Sequence, residues 1–295
     1  MEKIYVTMSS FCEFDNTPLE LCKENNFNIE INSLNRKLTK DETIEYCKDS
    51  IGIIAGTELF TSEILNNLTK LKVISRCGVG KDSIDIKEAD KLGIKVLITP
   101  NGPMLAVAEL TLGLILNLLR NINVLSNNVK NNKWKRSIGN LLLNKKIGII
   151  GYGRIGNHVD SILNSLGAIT TSYDLYDSKE KFESILKNSD IITIHISGSD
   201  LVLGSNELKQ MKKGSYLINT SRGGVIDEEC LYELLKNKHI LGAALDVFNK
   251  EPYDGKLKEL DNVILTPHIG SYTIESRIDM EVQAMSNLIR ELKNE

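Results

Sequence analysis

The chain has 295 residues, 41% hydrophobic and 25% charged, with a formal net charge of -3. That length exceeds a usual single domain and predicts either two domains or one large α/β domain, and the ordinary composition excludes disorder. No basic run is present, so nucleic acid and anionic membrane surfaces are excluded as partners and a small-molecule ligand is expected.

Five cysteines, Cys12, Cys22, Cys47, Cys77 and Cys230, are an odd number without a CxxC pair or histidine at metal-ligand spacing. They predict reduced thiols in a cytoplasmic protein and no metal site. At the N-terminus, MEKIYVTMSS lacks the apolar core of a signal peptide, and its IYV reads as a first strand. The first hundred residues then alternate β-branched runs (FNIEI, GIIAG, KVISRCG, IKVLIT) with amphipathic stretches such as DETIEYCKD and TSEILNNL. Such alternation predicts βα units around a parallel sheet. Pro100, Gly102 and Pro103 punctuate the chain and predict a boundary near residue 98. The apolar stretch from Pro103 to Arg120 contains Glu109, falls short of a membrane span and is expected to be a buried helix. The Asn-rich NINVLSNNVKNNKW after it reads as a helix end or surface loop.

A second βα series begins at KKIGIIGYG and runs through ITTSYD, DIITIHI, SYLINTS, GAALDVF and NVILTPH. Its six strand-like runs match a doubly wound sheet. The last stretch carries Ile278, Val282, Met285, Leu288, Ile289 and Leu292 at helical spacing, and predicts a terminal helix that crosses back to the first domain.

Gly151, Gly153 and Gly156 form GYGRIG between the strand KIGII and a helical pattern. In that context the glycines permit a tight turn, a close approach of backbone to a pyrophosphate and packing of helix on strand, while the helix N-terminus offers free N–H groups. Asp174 lies 18 residues beyond Gly156, at the end of ITTSY, where a carboxylate can accept hydrogen bonds from the adenosine ribose hydroxyls. No Arg or Lys follows directly, so NAD is expected over NADP. Asp177 or Ser178 suits the capping of the next helix better than Asp174 does.

Three further stretches follow strand-like runs: INTSRGGVIDEE around Arg222, ALDVFNKEP around Asp246 and Glu251, and LTPHIGS around His268. They would sit at strand carboxyl ends, where open α/β sheets bind ligands. Hydride transfer between a nicotinamide and a 2-oxo acid needs a guanidinium for the carboxylate and a proton donor for the carbonyl oxygen. Arg222 and His268 supply these groups, and Glu251 paired with His268 would raise its pKa and fix its tautomer. His158 and His195 read as structural or surface residues.

The sequence resembles the D-isomer-specific 2-hydroxyacid dehydrogenase family over nearly its whole length. The motifs run from GIIAGTELFT and SRCGVGKDSID through TPNGPMLAVAELTLG and GIIGYGRIG to INTSRGGVIDEE, GAALDVFNKEP and NVILTPHIGS. The resemblance implies two Rossmann-like or flavodoxin-like parallel-sheet domains with a cleft between them: a substrate-binding domain of residues 1–97 plus 272–295 and an NAD-binding domain of residues 98–271. It implies Arg222, Glu251 and His268 as the catalytic set, interconverting a D-2-hydroxy acid and a 2-oxo acid. The cofactor set it implies is Gly151, Gly153, Arg154, Ile155, Gly156, Asp174, Thr220 and Asp246, the last toward the nicotinamide. Substrate contacts would come from Arg76, Gly78, Val79 and Gly80 with Arg222, and a homodimer would form around the helix that includes Glu109.

Departures from the family pattern fall where substrate is recognised. Lys81 follows the CGVG turn where an apolar residue is common, the loop after HIS is shortened, and AGTELFT lacks the arginine often found in phosphoglycerate-specific members. Arg76 and Lys81 are the cations that could still hold a phosphate or second carboxylate. Two alternatives stay open: a short 3-phosphoglycerate dehydrogenase, for which the chain's end after the terminal helix predicts no regulatory domain, and an NAD-sensing regulatory protein.

Overall fold

A computed structural model describes residues 1–294. The chain divides into two compact units. One comprises Met1–Pro103 together with the stretch from Ser271 onward, and the other is Met104–Gly270.

The first unit is built on β1 (Lys3–Val6), α1 (Thr17–Glu24), β2 (Asn28–Ile31), α2 (Lys40–Cys47), β3 (Ser50–Ala55), α3 (Ser62–Asn67), β4 (Val73–Arg76), α4 (Ile86–Lys91) and β5 (Lys95–Ile98). Its strands form one parallel sheet in the order β2-β1-β3-β4-β5. SIGIIA of β3 is buried along its whole length, as expected of a central parallel strand covered on both faces, whereas NIEI of the edge strand β2 alternates between exposed and half-buried. Thr39 and Glu42 form a reciprocal capping box that starts α2, and the Thr61 and Asp85 side chains cap α3 and α4.

The border between the units falls inside α5 (Gly102–Arg120), a few residues beyond the expected position near 98. The reason is local. Gly102 O accepts from Ser276 Oγ at 2.8 Å, and a Cβ on Gly102 would lie 2.5 Å from Met280 Cγ, so the first turn of α5 stays with the first unit. By length and composition α5 could cross a bilayer, which corrects the expectation that it falls short, but half of it is buried inside the protein. Leu105, Glu109, Gly113, Leu116 and Arg120 form an exposed stripe at helical spacing. The helix is therefore buried on one side and not all round. The following Asn-rich stretch is a second helix, α6 (Ile122–Lys130), rather than a loop. Asn121 breaks the two apart by adopting φ 55, and Asn117 Oδ1 accepts from Asn123 N at 2.9 Å.

The second unit continues with β6 (Lys146–Ile150), α7 (Arg154–Ser165), β7 (Ile169–Tyr173), α8 (Lys179–Asn188), β8 (Ile191–Ile194), α9 (Ser205–Gln210), β9 (Ser215–Asn219), α10 (Glu228–Lys236), β10 (Ile240–Leu245) and β11 (Val263–Leu265). Its six strands are parallel, in the order β11-β10-β9-β8-β6-β7. One face is covered by α5 and α7 through Ile115, Leu119, Val159 and Leu163, and the other by α8, α9 and α10 through Leu186, Leu208, Leu231 and Leu235.

The last helix, α11 (Ile274–Lys293), belongs to the first unit. Met280, Ala284, Met285, Leu288 and Ile289 pack against Ile4, Val6, Ile54 and Val73. Ile278 and Val282, expected on the apolar face, are only partly buried, and the inward turn is taken by Arg277 and Glu281. These two form an ion pair at 2.6 Å, so charged residues stand where apolar spacing alone would put Ile or Val.

Candidate active site

Three loops leave the carboxyl ends of the adjacent parallel strands β9, β10 and β11, and each carries one of the residues expected to do chemistry. Asn219 ends β9 and shapes the first loop. Its Oδ1 accepts from the N and Oγ of Ser221, and its Nδ2 donates to Arg222 O at 2.9 Å. Arg222 Nη1 in turn donates to Ser221 O at 2.8 Å. Gly223 then packs onto the second loop so closely that a Cβ there would lie 1.8 Å from Phe248 O. Gly224 N donates to Asn249 Oδ1 at 2.7 Å. The loops bearing Arg222 and Glu251 are thus joined by backbone contact.

Glu251 reaches the third loop. Its Oε1 accepts from Phe248 N at 3.2 Å, and its Oε2 lies 2.9 Å from His268 Nδ1. The imidazole and carboxylate are half exposed, so His268 Nε2 is the ring nitrogen left for exchange with a ligand. His268 itself has φ 55, in the left-handed region that few non-glycine residues adopt. What holds it there is Asp246, just past β10. Asp246 O accepts from His268 N, Oδ1 accepts from Ile269 N at 2.8 Å and from Thr266 Oγ1 at 2.6 Å, and Oδ2 accepts from Gly270 N at 2.8 Å. Burial pushes the pKa of Asp246 up, an effect that these hydrogen bonds and the nearby His268 only partly offset. The resemblance implies a cofactor contact for this residue; its hydrogen bonds also make it the brace beneath the histidine loop.

The glycine turn lies where the strand order reverses, between β6 and β8, the crevice in which open α/β sheets take ligands. Gly151 has φ 92 and sits against the backbone of His195, within 2.6 Å of where its Cβ would be. A Cβ on Gly156 would lie 2.0 Å from Gly151 O, so helix and turn are in contact, while a Cβ on Gly153 would meet nothing within 4 Å. Gly153 is extended and starts α7, whose first turn, with Arg154 and Ile155, has no side-chain cap on its N–H groups. A pyrophosphate fits this open, donor-lined turn. Asp174 Oδ2 accepts from Tyr152 N at 2.9 Å and Oδ1 from Leu175 N at 2.7 Å, which ties the end of β7 to the glycine turn. Ser178, as expected, caps α8. Thr220 Oγ1 lies 3.0 Å from Thr111 Oγ1 on α5.

Residues 112–270 match the model of the D-isomer specific 2-hydroxyacid dehydrogenase, NAD binding domain. The chain belongs to this dehydrogenase family. It is 33% identical over 280 residues to the hydroxypyruvate reductase of Thermotoga maritima, covering 89% of this chain and 92% of that one. It is 35% identical over 294 residues to the D-3-phosphoglycerate dehydrogenase of Bacillus subtilis, covering 94% of this chain and 55% of that protein. The family chain thus spans about half the length of the phosphoglycerate dehydrogenases it matches. A crystal structure of a protein from Thermus thermophilus superposes with TM-score 0.90 at 28% identity, covering 99% of this chain and 97% of that one.

In this dehydrogenase-family chain the expected substrate contacts lie on the first unit, at the carboxyl end of β4. Cys77 N donates to Ala55 O, Gly78 has φ 138, and Gly78 N donates to Thr99 Oγ1 at 2.7 Å. Arg76 folds over this turn and donates from Nη1 to Cys77 O at 3.1 Å. Val79 and Gly80 are partly buried, and Lys81 is exposed. Burial pushes the Cys77 thiol up to about 12, so it is no nucleophile near neutrality.

His195, at the carboxyl end of β8, is 8% exposed, with Nε2 2.9 Å from Thr193 Oγ1 and Nδ1 without a hydrogen-bond partner among the described residues. Burial depresses its pKa to about 3. The unfolded chain takes up this proton near pH 6.5 and the folded one only near 3, so the unfolded state binds more protons throughout that window. Stability is therefore undiminished above about pH 6.5 and falls on acidification by up to about 1.4 kcal/mol per pH unit. Urea melts at pH 7 and pH 5 should show a smaller acid loss for His195→Gln than for the unsubstituted chain; equal losses would assign the neutral histidine no part in acid stability.

Proposed function

We propose that the protein is an NAD-dependent oxidoreductase that interconverts a D-2-hydroxy acid and the corresponding 2-oxo acid. The observation that carries this reading is the His268–Glu251 pair, 2.9 Å apart on loops locked to the Arg222 loop, in the same sheet as an open glycine turn. When bound, NAD supplies or accepts the hydride. Arg222 holds the substrate carboxylate with its planar guanidinium. His268 gives a proton from Nε2 to the carbonyl oxygen during reduction and takes it back during oxidation. Glu251, hydrogen-bonded to Nδ1, keeps that proton-transferring nitrogen aimed outward. Asp174 stands where a ribose 2′-phosphate would meet negative charge, which supports NAD over NADP.

The reading extends to a cytoplasmic homodimer. Leu105 and Leu116 on α5, Ile122 and Val129 on α6, and Trp134 and Ile138 beyond it are exposed, Trp134 to 82% and Ile138 to 98%. Apolar surface on this scale supports a second copy as its cover. The five unpaired cysteines support a reducing compartment.

Initial-rate oxidation of NADH with glyoxylate, pyruvate, hydroxypyruvate, 2-oxoglutarate and 3-phosphohydroxypyruvate tests the reaction, with NADPH in parallel. Turnover of one acid with NADH is the expected result. Tight NADH binding without turnover of any 2-oxo acid would reject it, and a sedimentation mass equal to one chain would reject the dimer.

A further inference from the structure

Asn249 stands between two members of the expected catalytic set. Its side chain reaches back to the Arg222 loop, where Oδ1 accepts from Gly224 N at 2.7 Å, and Gly224 holds φ 85. Its own backbone N donates to Glu228 Oε1 at 2.7 Å, on the first turn of α10. Phe248, the residue before it, donates its N to Glu251 Oε1. One residue of the Glu251 loop is therefore anchored twice, by its side chain to the loop after β9 and by its backbone to the helix that follows that loop.

The other acids at the start of α10 have different partners. Acidic residues in a first helical turn ordinarily serve the N–H groups of that turn. Asp227 does so as the N-cap, accepting from Cys230 N at 3.0 Å, and Glu229 pairs with Lys256 at 2.8 Å. Glu228 instead turns its carboxylate to the neighbouring loop. Asn249 is exposed, so water can satisfy the groups released when either bond is lost, and the chain then loses position rather than stability. Position is what the chemistry needs, since a shift of about 1 Å in a catalytic group can cost about 10²-fold in rate.

We propose that Glu228 and Asn249 are positioning residues, a clasp that sets the Arg222 loop against the Glu251 loop and so aims the Glu251–His268 pair at the substrate that Arg222 holds. The inference rests on the reaction proposed above and adds two residues to it. Neither moves a proton in that reaction; both act through Arg222 and Glu251.

Asn249→Ala removes the strut to Gly224, whereas Asn249→Asp keeps an oxygen there. Glu228→Ala and Glu228→Gln make the same comparison at the other strut. Rates are measured with NADH and hydroxypyruvate, or with the acid of the panel above that turns over. Asn249→Ala should lower kcat about tenfold and raise KM for the acid at least about threefold, because one loop aims the proton donor and the other binds the carboxylate. Its NADH dissociation constant should stay within about twofold, and its urea midpoint should not move. Asn249→Asp and Glu228→Gln should come within about threefold of the unsubstituted protein, and Glu228→Ala should behave as Asn249→Ala does. A second readout needs no turnover. Nitrogen-15 ring shifts should show His268 neutral mainly as the Nδ1–H tautomer in the unsubstituted protein, a more even mixture in Asn249→Ala, and a return in Asn249→Asp. Ala variants within about twofold of the unsubstituted protein in kcat and KM, with the tautomer unchanged, would overturn the inference. Equal losses in Asn249→Ala and Asn249→Asp would overturn it too, as would a loss matched by weaker NADH binding and a lower urea midpoint. No turnover of any 2-oxo acid would reject the proposed reaction, and the tautomer comparison would still decide the clasp.

Discussion

Replacing His268 with Ala should lower kcat by about 10²- to 10⁴-fold, the range that a positioned acid–base group contributes. NADH affinity should stay within about threefold, because the glycine turn after β6 is built separately from the loop after β11. The argument starts from the ring. Nδ1 faces Glu251 Oε2 at 2.9 Å, so in the neutral imidazole Nδ1 carries the hydrogen and Nε2 the lone pair, and in the imidazolium both nitrogens donate. Reduction of an oxo acid needs the imidazolium and should fade as the pH rises; oxidation of a hydroxy acid needs the neutral ring and should fade as it falls. Glu251→Gln keeps a hydrogen-bond acceptor without the charge, so it should reduce activity less than His268→Ala. Steady-state rates in both directions, alongside NADH fluorescence titration, check these outcomes. Full turnover by His268→Ala would end the assignment of His268 as the acid–base group.

The largest stability effect is expected at Glu281. Arg277 and Glu281 are one turn apart on α11, with side chains 10% and 4% exposed, and their 2.6 Å contact is part of a network. Arg277 Nη2 also donates to Ser10 O and Ser10 Oγ, and Glu281 Oε2 accepts from Cys12 N at 2.8 Å. Cys12 has φ 60, so this loop between β1 and α1 is held in a conformation that its residues do not prefer. Glu281→Ala removes the charge opposite a buried guanidinium and the acceptor of a backbone N–H, and should cost about 3–5 kcal/mol. Burial pushes the pKa of Glu281 up despite Arg277 beside it, so desolvation outweighs the attraction of the pair. Replacing both residues, as Arg277→Met with Glu281→Leu, should therefore cost clearly less than the single change. Urea unfolding of the two variants provides the comparison. Equal losses would mean that the network, and not the unpaired charge, dominates.

Neither effect could be sized from the sequence, for the same physical reason. A sequence reports what is local: a β-branched run, a helical period, a glycine between strand and helix, a serine that caps. Those signals were enough for two parallel α/β sheets, the turn at Gly151 to Gly156, and the candidates Arg222, Glu251 and His268, because each follows directly on a strand and parallel strands send their carboxyl ends to one edge. Periodicity placed Met285, Leu288 and Ile289 on the inner face of α11 and misplaced only Ile278 and Val282, since a buried ion pair breaks the apolar pattern it relies on.

Partners far apart in the chain were decided by strand order alone. Asp246 reaches Gly270 because β10 and β11 are neighbours, and Glu58 reaches Thr7 because β3 lies beside β1. Nothing in LDVF or GTEL states which strand will stand alongside. Sequence by itself determined the chemistry available to this protein. The tertiary structure decided which carboxylate aims a histidine, which braces a loop, and which sits at the switch point of the first sheet, because hydrogen bonds are short and directional and form only between groups that folding brings within about 3 Å.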